Sequence, residues 1–149
     1  MMDGNARFRF SARVAAEAMA QILRLANGAA FVGGLNPAQW SALRYLAEAV
    51  PEARTVTAFA HYHATTSGTA SQTVAALVRK GLVERLPELG DRRRNRLELT
   101  SSGHELLQGD PLGAIAAAIA AQSPEAQEAL ATGLEATLRT LTRPVGEQG

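Results

Sequence analysis

Two stretches of this 149-residue chain alternate apolar and polar residues, and a turn signal separates them. "LVERLP" (82–87) and "RLELT" (96–100) have the period of two that a half-buried strand shows. Gly90-Asp91 lies between them and suits a tight turn. Everything before and after reads at helical spacing. A lone hairpin among helices restricts the chain to a mainly α fold with a small β-hairpin.

The helical segments can be bounded by their stop and start signals. Residues 11 to 32 predict a first helix with Val14, Met19, Ile22, Leu23, Leu25 and Phe31 on a broad apolar face, ended by Gly33-Gly34. "LNPAQW" then predicts a second helix to about Ala49. Asn36 can cap it, Pro37 suits its first position, and Gln39 can reach back to close a capping box. Leu35 and Trp40 flank the cap at the spacing of a hydrophobic staple, which assigns Trp40 to core packing rather than to ligand contact. A short third helix runs from Thr55 to Tyr62 with Val56, Phe59 and Ala60. "TASQTVAALVRKG" reads as a fourth, with Ala70, Val74, Leu77 and Val78 on one face and Gly81 as its stop. Helix, turn, helix and hairpin in that order make a winged helix-turn-helix.

A fifth helix, capped by Thr100 or Ser101, holds Leu106 and Leu107. Gly109-Asp110-Pro111 interrupts it, either as a kink or as the start of a new helix reaching Gln122. Ser123-Pro124-Glu125 starts the last helix, whose Ala126, Leu130, Leu134, Leu138 and Leu141 form one apolar stripe.

The net charge is only +1, but it is unevenly placed. From Arg79 to Arg96 seven basic residues face three acidic ones, a balance of +4. From Ser101 onward two basic residues face six acidic ones, a balance of −4. Arg92, Arg93, Arg94 and Arg96 crowd the start of the second strand. A polyanion-binding face needs such asymmetry, while a solvated charged loop would account for the arginines alone.

This layout resembles the MarR family of bacterial winged helix-turn-helix transcriptional regulators, over roughly residues 11 to 142. Asp91, Arg93, Leu99 and Thr100 meet the family's D-x-R-x-x-x-x-x-L-T wing pattern. "LTSSG" (99–103) and "VRKGLVER" (78–85) match its flanks. The resemblance implies a winged helix-turn-helix lobe over 36–100 and a helical dimerisation region formed by 1–35 and 101–149. It implies double-stranded DNA as partner, a pseudo-palindromic operator, a homodimer, and most often repression. Arg93 would enter the minor groove, where narrow-groove potential favours Arg, and Asp91 would orient it. Arg92, Arg94 and Arg96 would touch phosphates or stay in solvent. Ser67, Thr69, Ser71 and Gln72 would face DNA from the fourth helix, where Gln can pair with adenine edges. Ser67 and Thr69 could equally serve only as helix caps. The family often binds a small-molecule effector between its two regions, and Phe31, Arg44 and His104 are the candidates to line that crevice.

Other chemistry is less well served. His61-x-His63 puts two histidines on different sides of a helix, so no metal is expected; a surface His61 and a partly buried, hydrogen-bonded His63 fit better. With no Cys, thiol oxidation is unavailable as a signal. No nucleophile–base pair or glycine-rich phosphate loop appears, so neither an enzyme nor a cofactor is expected. No apolar run spans a bilayer and the first residues lack a signal peptide's apolar core, which makes a cytoplasmic protein the default. The large apolar surface of the terminal helices, including Met19, Ile22, Leu23, Ile115, Ile119, Leu130, Leu134 and Leu138, exceeds what one lobe can cover. One rival stays open: a winged-helix protein-interaction module without specific DNA binding, which a fourth helix with no Arg before Arg79 and the near-zero net charge would suit.

Overall fold

The structure, a computed structural model, describes residues 11–30, 33–88 and 90–142, with only the backbone described at Ala29, Ala30 and residues 91–94. Among the described residues seven α-helices and one hairpin follow in order: α1 (Ala12–Ala30), α2 (Pro37–Glu48), α3 (Val56–Tyr62), α4 (Ser67–Arg79), β1 (Val83–Glu88), β2 (Asp91–Leu99), α5 (Ser101–Leu107), α6 (Leu112–Ala120) and α7 (Pro124–Thr142). A 3-10 turn, Pro51–Ala53, links α2 to α3. The expected mainly α, winged helix-turn-helix fold is what the chain adopts.

The core lies where α2, α3, α4 and the hairpin meet. Leu35, Trp40, Leu43, Leu46, Phe59, Val74, Leu77, Val83 and Leu97 are all buried there. The α2 start follows its sequence signal closely. Asn36 Oδ1 accepts from Gln39 N at 2.9 Å, and Gln39 Oε1 accepts from Asn36 N at 3.0 Å. Leu35 and Trp40, on either side of the cap, are each 2% exposed, as a closed staple requires.

The hairpin is antiparallel, pairing Val83 with Leu99, Arg85 with Leu97 and Pro87 with Asn95, with an irregularity between Pro87 and Glu88. Gly90 turns it at φ +98°, a conformation open to glycine but costly for other residues. Leu97 and Leu99 face the core from one side of β2. Their alternation is what the "RLELT" pattern encoded.

Gly109-Asp110-Pro111 starts a new helix. Asp110 Oδ1 accepts from Leu112 N at 3.0 Å, holding the first turn of α6. The terminal helices leave their apolar stripes largely open: Ile22 is 45% exposed, Leu23 58%, Leu138 61% and Leu141 76%. Among the described side chains neither α1 nor α7 contributes a buried residue to the core.

Candidate nucleic-acid interface

The outward surface of α4 is built by its caps. Thr66 is the N-cap, and its Oγ1 accepts from Thr69 N at 3.2 Å. The cap is therefore neither Ser67 nor Thr69, which both lie inside the first turn. "HATTSG" offered several oxygen-bearing cap candidates in a row, and only tertiary placement of the turn selects among them. Ala64, one residue after α3's C-cap His63, adopts φ +50°, the left-handed turn that swings the chain from α3 into α4.

At its other end α4 closes in a Schellman arrangement. Gly81 N donates to Val78 O and Leu82 N to Leu77 O, each at 3.0 Å, with Gly81 at φ +71°. Lys80 Nζ donates to Gly34 O at 3.2 Å, tying the end of α4 to the start of α2.

Between these caps Ala70, Val74 and Leu77 are buried. Helical geometry then sends Gly68, Gln72 and Arg79 the opposite way, with Ser71 and Thr69 on either flank. Ser67, Thr69, Ser71 and Gln72 are all solvent-exposed. This face carries no charge before Arg79. It offers hydroxyls and one carboxamide, groups that donate to phosphates or read base edges.

The wing stands beside that helix. Its base is joined to the lobe by an ion pair absent from any sequence motif, and a second pair within β2 shares the same carboxylate. Glu98 Oε2 lies 2.7 Å from Arg54 Nη1, and Glu98 Oε1 lies 2.9 Å from Arg96 Nε. Arg54 Nε donates to Ala49 O at 2.9 Å, while Arg54 O accepts from Leu97 N at 2.7 Å. Arg54 thus lies along β2 like the stub of a third strand. Arg96, expected at phosphates or in solvent, has its Nε enclosed at ion-pair distance from Glu98. The side chains of Asp91, Arg92, Arg93 and Arg94 lie outside the described residues; their backbone forms the start of β2, directly after the Gly90 turn.

Thr100 locks the wing to α5. Its Oγ1 donates to Gly81 O at 2.6 Å and accepts from Gly103 N at 3.1 Å, and its own N donates to Leu82 O at 3.1 Å. Leu99, Thr100 and Gly103, the recognisable part of "LTSSG", are thus joint residues rather than contact residues.

His63 is partly buried and hydrogen-bonded, as expected. Its Nδ1 is 3.0 Å from Ser41 Oγ, and its ring stacks on Phe59. His61 is exposed. Among the described residues no group of three or more His, Cys, Asp or Glu could hold a metal, and no helix is long and apolar enough to cross a membrane.

An open crevice of about 680 Å³ lies between the end of α2 and the α5–α6 junction, lined by Arg44, Tyr45, Glu48, Tyr62, Leu107 and Leu112 among others. Arg44 Nη1 donates to Asp110 Oδ1 at 2.7 Å across it. Tyr45 donates to Ala53 O at 2.7 Å, and its hydroxyl titrates above its ordinary value because of burial first and of Tyr62 second. Of the residues expected to line an effector site, Arg44 is there; His104 is exposed on α5 and does not line it, and Phe31 lies outside the described residues.

Residues 33–94 match the MarR family model. Over that segment the chain is similar to the MarR family. The match covers α2 to the start of β2, the helix-turn-helix and most of the wing. The MarR fold extends well beyond it. The S. aureus MepR–DNA complex is similar with a TM-score of 0.71 at 21% identity, over 89% of this chain and 97% of that one. A Staphylococcus aureus MarR in complex with salicylate and kanamycin gives 0.67 at 24% identity, over 87% of each chain. S. aureus MepR bound to ethidium bromide gives 0.58 at 22% identity, over 89% and 97%. At such identities the likeness is one of fold. No curated protein sequence matches the chain.

Proposed function

We infer that this protein is a dimeric, sequence-specific DNA-binding transcriptional regulator that acts as a repressor. The observation that carries the reading is the pairing of an exposed, hydroxyl- and amide-bearing α4 face with an adjoining wing of arginine-rich sequence, in a MarR lobe. One similar structure was solved on DNA, and the same disposition of elements here is in keeping with that use.

Segments 1–35 and 101–149 serve as the dimerisation region and 36–100 as the DNA-binding lobe. Support comes from the open stripes of α1 and α7: apolar residues such as Leu23 and Leu138 need a cover that the lobe does not supply. Two-fold pairing through them would set two α4 helices in successive major grooves. Affinity rests on the wing arginines, with Arg93 in the minor groove, Asp91 orienting it, and Arg92 and Arg94 at phosphates. Base preference rests on Ser67, Thr69, Ser71 and Gln72. A chromosomal partner makes the cytoplasm its place of action. Nothing in this reading calls for catalysis.

The crevice beside Arg44 fits a small-molecule effector, a role supported by the small molecules on the similar MepR and MarR structures. A coupling of about 1–3 kcal/mol between that site and DNA would suffice for regulation.

Selection of bound duplexes from a random pool at near-physiological salt tests the reading. The expected result is an inverted repeat with half-site centres about 10 base pairs apart. Absence of enrichment, with no affinity for duplex even at low salt, would sink it and leave the protein-interaction module, which an α4 face with no charge before Arg79 would suit.

A further inference from the structure

The family pattern assigns no role to Glu98, yet it holds one of the most constrained polar positions in the lobe. It sits on β2 between Leu97 and Leu99, both buried, and pairs across the hairpin with Glu84. Two like charges directly opposite on a hairpin are unfavourable. Glu98 is held there by two arginines from different parts of the fold, one on each carboxylate oxygen. Its side chain is 22% exposed, as is that of Arg54, against 38% for Arg96. The charge-assisted bond from Arg54 at that depth is stronger and better defined than a surface pair.

The two arginines differ in what they are attached to. Arg54 is fixed to the lobe: Nε to Ala49 O and its carbonyl to Leu97 N. Arg96 belongs to the wing and lies only two residues from Arg94. Its Nε is fully enclosed, and its ion pair among the described residues is with Glu98, at ion-pair distance but without hydrogen-bond geometry. Remove the carboxylate and a buried guanidinium edge loses its counter-charge, while two arginines are left to repel each other across the wing's base. The strand that carries Arg92 to Arg94 would then rotate away from the lobe.

We propose that Glu98 is a positioning residue for DNA binding: it clamps Arg96 of the wing to Arg54 of the lobe and so sets the angle at which the wing arginines meet the duplex. The proposal rests on the DNA-binding reading above. It also makes a prediction of unusual sign. Neutralising an acid on a DNA-binding protein normally tightens binding, because one repulsive charge is gone. Here neutralising Glu98 weakens it.

The test measures affinity and its salt dependence on a random-sequence 30-base-pair duplex for the wild type, Arg93→Ala, Glu98→Gln and Glu84→Gln. Glu84→Gln removes the same charge from the opposite position of the same hairpin, at an exposed residue with no place in the clamp. Arg93→Ala is expected to weaken binding and flatten the salt slope by about 1. Glu98→Gln is expected to weaken binding about 5- to 10-fold and to flatten the slope in the same way, while Glu84→Gln binds as well as the wild type or better. If Glu98→Gln binds as tightly as Glu84→Gln, the clamp is overturned while the DNA-binding reading stands. If the wild type shows no salt-dependent affinity, or Arg93→Ala changes neither quantity, the reading falls and takes the clamp with it. Should Glu98→Gln fail to fold, Glu98→Asp keeps the charge but is one methylene short of reaching both arginines. It is expected to weaken binding about 3-fold, and wild-type affinity for it would overturn the clamp.

Discussion

Replacing Gly103 with Ala sets two opposed effects against each other, and the geometry decides between them. Ala is favoured over Gly inside a helix by about 1 kcal/mol, less in a first turn. By that rule alone the substitution would stabilise α5. But α5 crosses the start of the wing at Gly103, with the Leu82 carbonyl against its Cα. An added Cβ would overlap the Leu82 carbonyl oxygen, lie 3.2 Å from the carbonyl carbon and touch Leu99 Cδ2 at 3.4 Å. The obstacle is backbone, and it is pinned: Leu82 O accepts from Thr100 N, and Leu82 N closes the end of α4 on Leu77 O. Carbon–oxygen contacts are comfortable only above about 3 Å, so α5 or the wing must move by about 1 Å. Forced shifts of that kind in a packed interior cost about 1–3 kcal/mol or more, and loss of the Thr100 bond adds about 1 kcal/mol. The net expectation is a loss of at least about 2 kcal/mol. Urea unfolding at one fixed protein concentration measures it, because a dimer's apparent stability depends on concentration. The midpoint should fall by about 1 M. Gly68→Ala is the control: its Cβ would meet only Thr66 Oγ1, at 4.0 Å, and its effect should stay within about 0.5 kcal/mol. A Gly103→Ala protein as stable as the wild type would refute the packing argument.

Gln72→Ala, at the centre of the exposed α4 face, should reduce discrimination between the selected operator and its single-base variants by about 1–3 kcal/mol at one position, with little change on random duplex; competition binding reads both. Asp110→Asn removes the charge that pairs with Arg44 but can still accept from Leu112 N. With both partners part-exposed, 29% for Arg44 and 19% for Asp110, unfolding should register a loss of only about 1 kcal/mol, and Asp110→Ala, which also loses the bond at the start of α6, should cost about 1 kcal/mol more. Tyr45→Phe should cost about 1 kcal/mol at neutral pH by removing one of the two donors to Ala53 O, the other being Thr55 N. Because the folded state raises the Tyr45 hydroxyl above 10.0, the stability it contributes is complete below that pH and is lost as pH rises through the shifted value; the gap between wild type and Tyr45→Phe in thermal melts should therefore narrow above about pH 10. An unchanging gap would contradict the assignment.

Local chemistry carried much of the fold into plain view. The capping box and staple around Asn36 are contacts between residues three to five apart, so the order of residues suffices to specify them. The same holds for the alternation of Leu97 and Leu99, the Gly81 stop and the break at Asp110. The exposure of Ser67, Thr69, Ser71 and Gln72 was also legible, because a buried Ala70, Val74 and Leu77 leave those positions outward on any helix. Choosing Thr66 as the cap was not, since several neighbouring residues have the same capping chemistry.

The order of residues decided which segments become helices and strands, and which of their faces turn inward. Those choices depend on backbone preference and on burial at a fixed period, both properties of neighbours in the chain. Only the tertiary structure decided which side chains from distant segments meet: Glu98 with Arg54, 44 residues apart; Arg44 with Asp110, 66 apart; Ser41 with His63, 22 apart; Gly103 under the Leu82 carbonyl. Such pairings have no period and no local signature. They arise where packed elements cross, and the crossing is set by how all the buried faces fit together at once.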